Sequence, residues 1–437
     1  MTTTLVVIIV GGGFGGIQVA VDLARKSTTN AKIILISKKP YFEYQPCLYR
    51  IATASPPFSV VVPLNELLSK TSVEVIEDLV IDVDLDRKVV RGSSGKSYQF
   101  NLLVLALGSE VNYHGVSILK DLTFTLKSAV DALRLNTHLE GEFQSVGDAK
   151  DTEKVSRSHI VVVGGGTTGA ELSGELAIHA RQLATKYGFD PSFITIDIID
   201  SGTRLVKHLT HQISEKVESR LRSLGVNVFL NRRIVKEHIE EIYLTDMHLK
   251  TNTVIWAAGV SPNHFFSKIE GLTFDHDGRV LVDEFLQAKN HTDIFVIGDG
   301  ATDPYSGLAQ TAIRQGHYVA NFIAKRVENK KEATPYKPRK ASIAIPVGVG
   351  WAAVLFGPFR FYGRIGWLLR RLGDYRFFLS VLPLRKALLI MRSKKKLDSI
   401  DGLAAYLDSN LSIIKHGEVS VQKKEPTSPL TGSEKTR

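Results

Sequence analysis

Two stretches of this chain carry glycines at a spacing that suits phosphate groups. They are LVVIIVGGGFGGIQVAVDLA at residues 5–24 and IVVVGGGTTGAELSGELA at residues 160–177. In the first, Gly11, Gly13 and Gly16 give G-x-G-x-x-G, with Phe14 and Gly15 between the last two; in the second, Gly164, Gly166 and Gly169 repeat it around Thr167 and Thr168. The first glycine of such a set allows a tight turn and the second lets backbone approach a pyrophosphate. The third lets the following helix pack on the strand, and the helix N-terminus presents partial positive charge to the phosphates. One match is weak, because glycine turns between strand and helix are common. Two matches, each between an apolar run and a helical pattern, predict two bound dinucleotides and a reaction between them.

The strand after each loop should end near the adenosine ribose. In the second unit ITIDIIDSG ends on Asp200, 36 residues past Gly164, against the usual spacing of about 20. A long helix and the loop KYGFDPS account for the delay, and a carboxylate there favours the unphosphorylated ribose of NADH. In the first unit KIILISKKP offers Ser37 and Lys38 in place of an acid. Further along, DIFVIGDG sets Asp299 after a glycine turn at a strand end, where a short acid can accept hydrogen bonds from a polyol. Glu171 lies two residues past Gly169, on the first turn of its helix. It is a candidate proton carrier, with a helix-capping or salt-bridged acid as the plain alternative. The chain has one cysteine, Cys47. That excludes an internal disulfide, a dithiol redox centre and a cysteine-rich metal site, and no metal is called for.

Strand-like and helix-like patterns alternate around these residues. Strands are expected at 4–10, 32–37 and 102–106, with helices at 14–27 and 62–70. The theme repeats with strands at 159–163, 194–199, 226–230 and 253–257 and helices at 167–187 and 211–224. A buried strand within 291–301 and a helix over 309–327 follow. Alternation of this kind predicts an α/β fold with two Rossmann-like units of parallel sheet covered by helices. Residues 341–359 carry no charge over 19 positions, but Pro346, Gly348, Gly350, Gly357 and Pro358 interrupt them. Strands with turns fit better than a membrane span.

The formal charge is +10, and residues 360–396 hold eleven Lys/Arg against the single acid Asp374, so this segment accounts for all of it. Its basic residues alternate with Trp367, Leu368, Leu369, Phe377, Phe378 and Leu379. A nucleic-acid reader spreads positive charge over a surface; this mixture suits an anionic membrane surface instead, with a plain basic helix or a homodimer contact as alternatives. The N-terminus has no basic lead and too short an apolar run for a signal peptide. The polar end from about His416 is expected to be disordered.

Taken with EYQPCLYRIATA (43–54), LKSAVDALRL (126–135), VIWAAGVSPN (254–263) and AQTAIRQG (309–316), the chain closely resembles the type II NADH dehydrogenases. These are single-subunit NADH:quinone oxidoreductases with two dinucleotide-binding domains. The resemblance covers about residues 5–390, and Ala309, Gln310, Ala312, Gln315 and Gly316 match the family's A-Q-x-A-x-x-Q-G pattern. It implies an FAD domain at 1–114 and 276–340 with an NADH domain, 115–275, inserted in it. A C-terminal membrane-association region (341–415) and the tail (416–437) follow.

FAD, held non-covalently, is then expected on Gly11, Gly13, Phe14, Gly15, Gly16, Ser37, Lys38, Gln45, Gly108, Asp299, Ala309 and Gln310. NADH is expected on Gly164, Gly166, Thr167, Thr168, Gly169, Asp200, Ala258 and Gly259. The catalytic set is Glu171, Gln310 and Gln315, with the two glutamines in or beside a quinone pocket. The lysine that some members place opposite the glutamate has no counterpart between Lys340 and Arg360. Cys47 stands where the family usually has an aliphatic residue and is expected only to pack, and ALG (106–108) replaces the usual A-T-G. The implied reaction passes a hydride from NADH to flavin and two electrons on to a membrane quinone. No proton pumping is expected, and the enzyme should sit peripherally on the cytoplasmic side of a membrane. Two rivals remain: a sulfide:quinone oxidoreductase relative, which would need a cysteine pair, and a flavin- and NADH-binding redox sensor or membrane adaptor with little turnover.

Overall fold

A computed structural model describes residues 4–26, 31–55, 60–115, 119–146, 149–238, 241–328, 330, 334–382, 384, 387 and 388. The expected disordered tail and the basic residues from Arg392 to Lys396 lie outside these.

The apolar run Leu5–Val10 forms β1, and its last four residues are buried. Helix α1 (Phe14–Arg25) returns the chain to β2 (Ala31–Ser37). A short β3 (Tyr41–Glu43) and a one-turn α2 (Leu48–Ala52) come next. The helix expected over 62–70 shrinks to α3 (Leu64–Leu67), because β4 (Val61–Pro63) pairs antiparallel with β3. Strand β5 (Glu74–Glu77) is followed by an antiparallel ribbon of β6 (Val80–Asp84), β7 (Val89–Gly92) and β8 (Ser97–Gln99). After β9 (Leu102–Leu105) the chain leaves this unit through β10 (Ser109–Val111).

The second unit opens with α4 (Leu119–Leu122), β11 (Phe124–Thr125), α5 (Ala129–Val146) and α6 (Asp151–Ser158). The sequence pattern missed α5. Then come β12 (His159–Val163), α7 (Thr167–Tyr187), β13 (Thr195–Ile199), α8 (His211–Ser223) and β14 (Val226–Phe229). A second antiparallel ribbon is built from β15 (Ile234–His238), β16 (Glu241–Leu244) and β17 (His248–Lys250). Strand β18 (Thr253–Trp256) completes this unit, and β19 (Val260–Pro262) pairs antiparallel with β10 on the way out. Next, β20 (Ile294–Val296) pairs parallel with β9, and α9 (Ala309–Val327) covers α1. The uncharged stretch becomes the antiparallel sheet β21 (Ile343–Pro346), β22 (Ala352–Phe356) and β23 (Phe359–Phe361), followed by α10 (Gly363–Val381).

Two five-stranded sheets result, in the orders β20-β9-β1-β2-β5 and β11-β18-β12-β13-β14. All eight pairings within them are parallel. Parallel strands need both faces covered, which is why Val7, Ile8 and Ile9 and their counterparts Ile160, Val161 and Val162 are wholly buried. In each sheet the first βα loop lies at the carboxyl end of a central strand, beside the point where strand order reverses. Ligands of open α/β sheets bind there.

Candidate active site

The two glycine loops have matching backbones. Gly11 takes φ +114° and Gly164 φ +110°, conformations that disfavour a side chain, and a Cβ at either would strike the backbone of the neighbouring strand's end, Ala106 or Ala257. At Gly16 and Gly169 an added Cβ would meet the carbonyl oxygen of Gly11 or Gly164 before reaching any side chain of the strand. The third glycine is therefore required by the loop's own carbonyl; strand packing, through Ile9 and Val162, is secondary. Gly13 and Gly166 face open space. Both are N-cap residues whose helices receive no side-chain cap, so the first amides of α1 and α7 are left to a ligand or to water. This cradle fits a pyrophosphate.

At the end of β13, Asp200 accepts hydrogen bonds from the Gly165 amide at 2.6 Å and the Gly202 amide at 2.6 Å. It braces the loop while holding a carboxylate beside it. The late spacing has the expected cause, since α7 has 21 residues where α1 has 12. At the end of β2, Ser37 turns inward: its hydroxyl donates to the Lys39 carbonyl at 2.8 Å and accepts from the Lys39 amide at 3.3 Å. Lys38 is exposed.

Asp299 lies on the turn after β20. Ser109 donates its hydroxyl to it, and Lys127 donates to Ser109 at 2.8 Å. Burial holds the Lys127 amine below its ordinary range, against the attraction of Asp299 and Glu43. Glu43 accepts from Lys39 at 2.7 Å and from the first amide of α5, Ala129, at 2.8 Å. Sequence reasoning gave no role to Ser109, Lys127 or Glu43. The segments EYQPCLYRIATA and LKSAVDALRL contained the last two, but only the fold brings Lys127 under the charges of both Glu43 and Asp299. Gln45 and Gly259 are exposed, Gly108 and Ala309 half-buried, and no atom would obstruct a Cβ at Gly108.

In the AQTAIRQG segment both glutamines make bonds that the sequence did not show. Gln315 is completely buried; its oxygen accepts from the Gly298 amide at 2.7 Å and its nitrogen donates to Asp303 at 3.1 Å. Each end of the amide holds one hydrogen bond, so Gln315 fixes the turn that carries Asp299. Gln310 is exposed and donates to the Ser342 carbonyl at 3.0 Å, tying α9 to the strand that begins the C-terminal sheet. Gly316 lets α9 approach α1, since a Cβ there would lie 2.8 Å from the Gly15 carbonyl oxygen. Phe14 places its ring in an aromatic cluster with Phe42 at 5.0 Å, Tyr44 at 5.6 Å and Phe377 of α10 at 5.0 Å.

Glu171 faces a group of charges from three helices. Burial pushes its carboxyl up to about 8; the Arg370 guanidinium pulls the other way and Glu175 adds to the rise. Desolvation also raises Glu175, against Arg50. Arg370, on α10, is the cation that the sequence did not assign. Its side chain is 11% exposed, and it pairs with Asp374 and donates to the Pro46 carbonyl at 3.0 Å. Asp374 is 1% exposed and also accepts from the Tyr44 hydroxyl at 2.6 Å. Cys47 does more than pack, lying 3.8 Å from Arg370 and 4.0 Å from Asp374.

A parallel-sheet unit nested in another, each with a phosphate cradle at its switch point, defines a two-dinucleotide oxidoreductase. The sequence profile of the pyridine nucleotide-disulphide oxidoreductases matches residues 5–316, and the chain belongs to that family. Among its relatives is the type II NADH:quinone oxidoreductase of Staphylococcus haemolyticus, 28% identical over 346 residues, 76% of this chain and 84% of that protein. The same enzyme of Staphylococcus aureus is 29% identical over 345 residues, with the same coverage. In structure, NDH2 of Plasmodium falciparum in complex with NADH has a TM-score of 0.80 at 17% identity, covering 89% of this chain and 96% of that one. The sulfide:quinone oxidoreductase of Aquifex aeolicus has a TM-score of 0.73 at 19% identity, over 90% and 96%.

Proposed function

We propose that this protein is an FAD-dependent NADH:quinone oxidoreductase that works at a membrane surface. The observation that carries the reading is the pair of matched, uncapped glycine cradles, one beside Asp299 and the other beside Asp200 and Glu171. The names of the staphylococcal relatives support the same reaction. The sulfide:quinone alternative lacks a second cysteine, Cys47 being the only one in the sequence.

FAD fits the first cradle on this chain's own geometry: open space at Gly13, an uncapped helix, and an Asp299–Ser109–Lys127 chain able to bond a polyol. When bound, it supplies the redox chemistry, taking a hydride from NADH and giving two electrons to quinone. The protein's part is to hold, orient and protonate. Asp200 would accept the ribose hydroxyls of NADH and repel a 2′-phosphate. The uncapped start of α9 favours negative charge beside it. Glu171, protonated at neutral pH, would donate its carboxyl proton to a quinone oxygen.

The C-terminal module supports peripheral binding. The β22–β23 turn exposes Phe356 and Phe359, and one face of α10 exposes Ile365, Leu368, Leu372 and Leu379, with Leu384 beyond it. Arg360, Arg364 and Arg376 are exposed among them. Among the described residues no helix is long and apolar enough to cross a membrane. An apolar face rimmed by arginines lies in the headgroup region.

Anaerobic titration tests the activity. The purified protein should be yellow, bleach with NADH and recolour with a short-chain quinone; a preparation that binds flavin but does not bleach would be a sensor. Flotation with phosphatidylglycerol vesicles tests the surface: Phe359→Asp/Leu368→Asp should release the protein, and retention would defeat the membrane assignment.

A further inference from the structure

The buried group around Asp374 has a purpose that the redox reaction alone does not require. Asp374 accepts from Arg370 on its own helix and from Tyr44 at 2.6 Å, and lies 4.0 Å from both Arg50 and Cys47. The second guanidinium nitrogen of Arg370 donates to the Pro46 carbonyl at 3.0 Å. Both outer nitrogens of Arg370 are thus turned toward α10 and the 45–47 turn. Glu171 of α7 feels the charge of Arg370 and of Glu175 on its own helix, and acts on Tyr49 of α2; Arg50 acts on Glu175 and on Arg371. We propose that Asp374 is a positioning residue for quinone reduction: it draws the Arg370 guanidinium onto itself and so leaves Glu171 without a hydrogen-bonded cation. This rests on the reading of Glu171 as proton donor.

The physical argument is competition for one cation. A buried carboxyl next to an unpaired guanidinium ionises, because the opposite charge favours its anion. A carboxyl next to a guanidinium already neutralised by another acid is governed by desolvation and keeps its proton. Asp374 wins the competition because it is held by the Tyr44 hydroxyl and is spaced i,i+4 from Arg370 on one helix.

The test follows reoxidation of the NADH-reduced holoenzyme by a short-chain quinone from about pH 6 to about pH 10, where a general acid gives a falling limb. In the parent protein the limb should lie near about 8. Asp374→Asn frees Arg370 for Glu171, and the limb should move down by about one unit or more; an unmoved limb overturns the proposal. Should that variant fail to fold, Asp374→Asn/Arg370→Met replaces a buried ion pair by a neutral one, a change cores tolerate. Its limb should lie within about one unit above the parent's. A larger rise would mean that Glu171 already feels the full charge of Arg370, and would also overturn the proposal. Glu171→Gln separates the two readings: it should abolish the limb, and a limb that survives removes Glu171 as the donor whatever Asp374 does.

Discussion

In the β1–α1 loop the backbone turns at Gly11 with φ +114°, and in the β12–α7 loop at Gly164 with φ +110°. In each, the third glycine avoids the carbonyl of the first, and the second faces open space. Around these matched turns the side chains differ. The strand end beside the first loop is Ser37, bonded to its own turn; beside the second it is Asp200, bonded to the loop amide. Two residues past the third glycine stands Gln18 in α1 and Glu171 in α7. Gln18 is wholly buried under α9, with its amide 3.4 Å from His317. Glu171 is desolvated and feels the charges of Arg370 of α10 and Glu175. The grip on phosphate is thus made by backbone and is interchangeable between the two cradles. Which nucleotide is held, and whether a proton can move, is decided by side chains just outside the loop.

The sharpest way to break the comparison is to block each cradle in turn. Gly16→Val and Gly169→Val both drive a side chain into a loop carbonyl and should displace the bound phosphate by an ångström or more. Such misplacement costs on the order of a hundredfold or more in rate. If the cradles hold different nucleotides, Gly16→Val yields colourless protein. Gly169→Val stays yellow but does not bleach with NADH, although dithionite still reduces it. Absorbance decides, and loss of colour in both variants would mean that the second cradle also supports flavin.

Next in size is Asp200→Ser, which gives the second cradle the strand end of the first. Hydrogen bonds to a charged group contribute about 1.5–3 kcal/mol, so kcat/KM for NADH should fall by about tenfold to a hundredfold. NADPH, freed from repulsion, should be used relatively better. An unchanged NADH:NADPH ratio would leave Asp200 only its structural bonds to Gly165 and Gly202.

Glu171→Gln similarly converts the helix position of the second cradle to that of the first. The carboxyl is raised to about 8 in the fold, from an unfolded value of about 4.3. Between those values the folded chain holds a proton that the unfolded chain has released, so parent stability declines as pH rises through the window. Glutamine removes this dependence. The melting temperature of the variant, relative to the parent, should therefore climb by several degrees from about pH 5 to about pH 8 and then level off. A difference that stays constant with pH would place Glu171 in water.

Much of this was legible in the sequence because it is local. Both loops, the strands and helices flanking them and the reading of residues 341–359 as strands follow from spacing within about twenty residues of chain, and Asp200 lies 36 residues past Gly164, one helix further on. What escaped depends on contacts across hundreds of positions. Arg370 meets Pro46 and Asp374 meets Tyr44, and no periodicity in α10 announces either contact. The bonds of Gln315 in AQTAIRQG escaped for a related reason. A motif reports that Gln315 matters, but only the buried Gly298 amide shows that it is needed to satisfy a backbone group. The four-residue α3 was overcalled because an apolar run before a turn reads equally as helix or strand until β3 pairs with it.

The smallest expected effect lies at Ser37, and it tests whether the two strand ends differ in kind or only in degree. A serine that held the ribose would be expected to lose much of the flavin's grip on conversion to alanine. Here its hydroxyl closes the turn at Lys39, donating to the carbonyl and accepting from the amide. An added Cβ at Gly12 would lie 2.7 Å from that hydroxyl, so the group packs against the loop more than it reaches out of it. Ser37→Ala should therefore cost about 1 kcal/mol of stability, seen in denaturant unfolding, and change the flavin dissociation constant by no more than about threefold. A loss of tenfold or more in flavin affinity, with stability unchanged, would show the hydroxyl turning to the ribose when the nucleotide binds, and would make Ser37 a weaker version of Asp200.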